Sequence, residues 1–131
     1  MSDELAARNA LILYVATLVA AYEAPALSAQ QTQIKDDLPD RYVEVGVSRR
    51  FGGSPRRAGS PSEIVSYRAT TRYVAKTEDD ALRLAKACAG LEGAILTVGA
   101  GTTGGVDYET SSRVGPDEGW FSGYTDWTFS V

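Results

Sequence analysis

The apolar run near the start of the chain has no polar face, and that constrains the fold more than any other feature. Residues 10–21 are apolar except for Thr17. At helical spacing, Leu11, Val15, Leu18 and Tyr22 mark one side, and Ile12, Ala16 and Val19 mark another. A helix that is apolar nearly all round must be covered nearly all round. One sheet covers one side, so the other side needs a second helix or a second subunit. The spacing predicts a helix over residues 3–23, with Ser2 as N-cap, Asp3 and Glu4 in the first turn, and Pro25 as the stop.

This run also invites a secretory reading, because Ala24-Pro25-Ala26 resembles a small-residue cleavage site. The preceding residues hold Asp3 and Glu4 against Arg8 alone, whereas a secretory signal carries positive charge there. The run is also short for a bilayer span. The expectation is a helix of the mature protein.

The chain has 131 residues, one domain's worth, with 44% hydrophobic and 23% charged residues. A single domain over 1–131 follows. The net charge of −4 exerts no bulk pull on nucleic acid or anionic lipid. Histidine is absent, which removes Ser-His-Asp triads, Cys-His pairs and histidine-ligated metals. The lone Cys88 cannot form an internal disulfide and fits a reducing compartment such as bacterial cytoplasm. No catalytic, cofactor-binding or metal-binding residues are assigned, and the expectation is a protein that is not an enzyme.

Further along, residues 28–40 read as a loop or a short weak helix. Residues 41–49 alternate, with Val43, Val45 and Val47 on one face and Tyr42, Glu44 and Ser48 on the other. A basic, turn-rich loop follows to residue 62. A long strand over 63–76 puts Tyr67, Ala69, Thr71 and Tyr73 opposite Arg68 and Arg72. Together these form an extended Arg-tipped β-hairpin. A second helix spans 77–91: Thr77 with Asp80 resembles a capping box, and Ala81, Leu84, Ala85, Cys88 and Leu91 form one apolar stripe. Asp79 and Arg83 are spaced to pair, and Gly90 or Gly93 ends the helix. Strands at 94–98, 106–114 and 120–131 follow, separated by glycine-rich turns at 99–105 and 115–119. The expected fold is α+β, a mainly antiparallel sheet with two helices packed on one face.

Few motifs carry chemistry. Gly99-Ala-Gly101-Thr-Thr-Gly104 matches a dinucleotide fingerprint, but strand-like sequence follows where a helix is required, so a strand-to-strand turn is the better reading. The pairs Asp36-Asp37, Asp79-Asp80 and Asp117-Glu118 fit loops and a helix cap better than a carboxylate enzyme. Cys88 reads as a small core hydrophobe. A third class, an enzyme built around the glycine turn, would need a pocket with convergent polar groups near Gly101.

Arg49, Arg50, Arg56 and Arg57 are the asymmetric charge feature. They fit a solvated loop, a phosphate-touching arm, or an arm that docks on the acidic surface of another copy or partner. The last is favoured, since overall charge opposes wide DNA contact. With Leu11, Val15 and Leu18, these arginines form the candidate partner interface. A small nucleic-acid-binding module using residues 49–57 is the alternative.

The stretch from Ser66 to Gly93 resembles the tail terminator (tail completion) proteins of long-tailed phages that infect actinobacteria. The resemblance rests on Tyr67, Arg68, Arg72 and Val74 in a hairpin strand, on a helix opening with Thr77, Ala81 and Leu84, and on a final strand with Trp127. It covers about the last two thirds of the chain, and neither the glycine turn nor Gln30 to Gln33 aligns with it. The resemblance implies a homo-hexameric ring at the tail-neck junction of the virion, made in the host cytoplasm. Its partners would be the tail tube protein and a head-tail connector or stopper, with DNA at most passing through the lumen. It implies no cofactor and no membrane. Another neck or tail-tube component is the nearest variant of this reading.

Overall fold

In the computed structural model, the described residues are 4–34, 38–49, 66–98 and 101–130. The chain is α+β, with helices against a mainly antiparallel six-stranded sheet. Helix α1 (Glu4–Val19) continues as a 3-10 turn (Ala20–Tyr22). Glu23 closes it in the left-handed conformation, φ 56°. Strand β1 (Ala26–Ser28), helix α2 (Ala29–Ile34), strands β2 (Arg41–Arg49) and β3 (Ser66–Ala75), and helix α3 (Glu78–Cys88) follow. The remainder is β4 (Thr97–Val98), β5 (Gly101–Thr102), β6 (Asp107–Ser111), β7 (Gly115–Asp117) and β8 (Trp120–Ser130).

The sheet order is β1-β2-β3-β8-β6, with β7 also paired to β8. Strands β2 and β3 pair antiparallel from Arg41↔Ala75 to Arg49↔Tyr67, and β3 pairs with β8 from Ser66↔Ser130 to Ala75↔Phe121. The period-2 pattern therefore sorts the residues cleanly. Val43, Val45, Tyr67, Ala69, Tyr73, Trp127 and Phe129 lie under the helices, in one core with Ala7, Leu11, Val15 and Val19 of α1 and Leu84 and Cys88 of α3. Helix α1 packs over β1 and β2, and α3 packs over β3 and β8.

One polar seam crosses this core. The Tyr73 hydroxyl donates to Thr125 Oγ1 at 2.8 Å and lies 2.8 Å from Thr71 Oγ1, which accepts from Trp127 Nε1 at 3.1 Å. Every buried polar tip in the seam has a partner, so the group is tolerated among apolar neighbours. The opposite sheet face is polar. Arg68 pairs with Glu109, Thr70 with Asp126, and Arg72 with Asp117, at 2.6–2.7 Å. Leu27, Tyr42 and Val74, with Leu38 and Trp120, make a small second cluster there.

Several elements differ from the sequence expectation. Ser28 opens α2 with a reciprocal cap: its backbone N–H donates to Gln31 Oε1 at 2.8 Å, and its Oγ accepts from Gln31 N–H at 3.3 Å. Strand β1, missed in the sequence, runs parallel to β2. Residues 94–98 do not join the main sheet: β4 pairs only with β5, as a two-stranded ribbon. The expected strand over 106–114 is shortened to β6, and the turn expected at 115–119 opens with β7. Val114 passes across Gly123, where a Cβ would lie 2.9 Å from Val114 Cγ2 and 3.1 Å from its Cα, so the crossing needs glycine.

At the start of α3, Thr77 Oγ1 accepts from Asp80 N–H at 3.2 Å, as expected. The Asp80 side chain turns to Arg41 and Arg83, at 3.3 and 3.1 Å. Arg83 thus pairs with Asp80 and not with Asp79. Arg41 Nε also donates to Tyr22 O at 2.6 Å, which ties the end of α1 to the start of α3.

Candidate functional site

The surface of α1 is the feature that packing leaves unresolved. Its buried residues are Ala7, Leu11, Val15 and Val19, a single i, i+4 stripe. Leu11 and Val15 are fully buried under the sheet, so they are core residues of the protomer and not interface residues. Leu18 is half-buried against that core, beside Gly90. This corrects the interface expected from the sequence. The apolar groups left for a partner lie elsewhere: Leu5 is 57% exposed and Leu13 is 72% exposed. The span Glu4–Tyr22 is long and apolar enough to cross a membrane by length and composition alone, contrary to the estimate from its apolar run, and only 22% of that stretch is buried within the fold.

Of the arginine cluster, Arg49 is exposed at the end of β2. Arg50, Arg56 and Arg57 lie outside the described residues, as does the tip of the hairpin. The arginines along β3 are engaged with Glu109 and Asp117 on the open sheet face.

The chemical alternatives find little support. No helix follows the glycine motif: β5 lies within it and β6 comes next, so no helix N-terminus meets a pyrophosphate there. Gly104 donates its N–H to Ser130 O, and Thr103 bonds Leu96 through both its backbone and its hydroxyl. A depression of 320 Å3 lies beside the turn, lined by Ser66, Gly104, Gly105, Asp107 and Ser130 among others. Among the described residues, Asp107 is its sole ionisable lining residue, which is too few for an acid–base pair. A second depression, of 190 Å3, is lined by Glu23, Arg41, Asp80 and Arg83, whose charges are already paired with one another. Asp117 bonds Arg72 and Ser122, and Asp36-Asp37 lies outside the described residues. Among the described residues, no group of three or more acidic or cysteine side chains comes together to hold a metal ion.

The two strongly shifted groups are core groups. Burial pushes the Cys88 thiol up to about 12, and burial pushes the Tyr73 hydroxyl up to about 12 against its two threonine hydrogen bonds. Both are therefore neutral at physiological pH. The thiolate that reactivity needs is suppressed.

A groove of 460 Å3 runs between α1 and α2, lined by Arg8, Ile12, Leu13, Gln30 and Gln31, with Asn9 and Ser28. Neither the exposed side of α1 nor this groove was assigned from the sequence. The all-round apolar pattern demanded a second covering surface, but it could not say which stripe the sheet would take.

No family model and no curated protein matches the chain. One solved structure overlays with a TM-score of 0.64 at 12% identity, covering 97% of this chain and 91% of its own. At that identity the likeness is one of fold.

Proposed function

We propose that the protein is a structural assembly subunit, a tail terminator that forms a ring at the end of a phage tail tube and joins it to the head-tail connector. The observation that carries this reading is the outer side of α1, where Leu5 and Leu13 stay exposed in the protomer. Leu13 adjoins Ile12 along the α1/α2 groove, and apolar groups gathered at a groove suit a contact surface. The resemblance of Ser66 to Gly93 to tail terminators supplies the kind of assembly. The absence of histidine and the charge-paired depression at Arg41 and Asp80 fit a part that performs no turnover.

The hexameric ring, the tail tube and connector as partners, and a place in the virion all follow from that resemblance. Immunogold electron microscopy of phage particles bearing this protein tests the reading. Label confined to the tail-neck junction is the expected result. Label absent from the particles, or spread along the whole tail, rejects it.

A further inference from the structure

We propose that the α1/α2 groove receives α3 of a second copy of this chain, making the ring contact head-to-tail. The inference rests on the ring reading and names the two surfaces that meet. Arg8 and Ile12 stand four residues apart on α1 and line the groove, with Leu13 at its rim. Arg8 has no ion pair among the described residues, and its Nε is buried without a hydrogen-bond partner; its Nη2 donates only to neighbouring Asn9. Among the described residues this guanidinium finds no carboxylate acceptor, which a buried donor favours. The groove therefore suits a segment that brings a carboxylate and an apolar side chain one helical turn apart.

Helix α3 carries that pair. Glu78 and Leu82 are also four residues apart, Leu82 is 48% exposed, and Asp79 lies beside them. Neither Glu78 nor Asp79 has an ion pair among the described residues. Asp80 faces Arg41 and the end of α1, and at about 100° per residue Leu82 points to the opposite flank of α3. Since α1 covers β1 and β2 while α3 covers β3 and β8, groove and ridge sit on opposite flanks of the helical layer. A contact between two different surfaces of identical copies is heterologous, and it closes into a ring when its rotation permits. Laid side by side, Arg8 meets Glu78 and Ile12 meets Leu82.

Charge reversal of the full chain tests this, read by native mass spectrometry over a concentration series, with circular dichroism melts to confirm folding. Arg8→Glu and Glu78→Arg should each raise the concentration for half-assembly by about tenfold or more. The double reversal should recover most of the loss. Folded single variants that assemble like the parent overturn the proposed surfaces while leaving the ring intact. So does a double reversal that recovers nothing. A parent chain that stays monomeric at every concentration overturns both the surfaces and the ring.

Discussion

Thr71 is the residue on which the polar seam of the core depends, since it accepts from Trp127 Nε1 and meets the Tyr73 hydroxyl. Thr71→Val keeps the shape and strands the Trp127 N–H, while the Tyr73 hydroxyl keeps Thr125, so it should cost about 1–3 kcal/mol in urea unfolding. Cys88 offers a second test at this scale. Its thiol is held neutral up to about 12, against 9.0 for an ordinary thiol, and Tyr73 is raised from 10.0 to about 12. Between those values the unfolded chain ionises and the folded chain does not, so the unfolded state binds fewer protons and stability falls as pH rises. The urea midpoint should drop between about pH 9 and about pH 12, and Cys88→Ala should flatten the early part of that drop. Iodoacetamide should label Cys88 only after unfolding; rapid labelling of the folded protein would contradict its burial. The inert cysteine was legible in the sequence because it sat on an apolar stripe. The seam was not, because Thr71 and Thr125 are 54 positions apart and only strand pairing makes them neighbours.

For the elements, clear local signals gave correct assignments. The alternation from Val43 to Val47 and from Tyr67 to Tyr73 gave β2 and β3, and Thr77 with its acidic first turn gave α3. Thr77→Ala removes the acceptor for Asp80 N–H and should cost about 1 kcal/mol in thermal or urea unfolding. Helix α2 also had a signal, Ser28-x-x-Gln31, which the polar run around it obscured. Strand β1 had none: three residues paired parallel to β2 are too few to show a period. The glycine turn gave a strand-to-strand connection, but not that β4 would leave the main sheet and pair with β5 inside the turn. Helix α1 separates structural from surface roles. Leu11→Ala should cost about 2–5 kcal/mol of stability, whereas Leu13→Asp should leave the melting transition within a degree or two and weaken self-association.

At the scale of the whole molecule, the sheet uses one face for the core and closes the other with ion pairs. Those pairs are partly exposed and contribute little to stability. Their larger effect is to keep Arg68 and Arg72 occupied. Among the described residues, the outside of α1 combines exposed Leu5 and Leu13 with a groove whose cation has no ion pair. The sequence carried this in outline, since a helix without a polar face needs two covers. It could not show that Leu11 and Val15 would be the buried side, because that depends on which stripe meets β2. Sedimentation velocity of the purified chain over a wide concentration range tests self-assembly most directly. The expected result is a discrete closed oligomer that grows in at rising concentration and is lost in Leu13→Asp. A single species of one chain's mass throughout the range would contradict it.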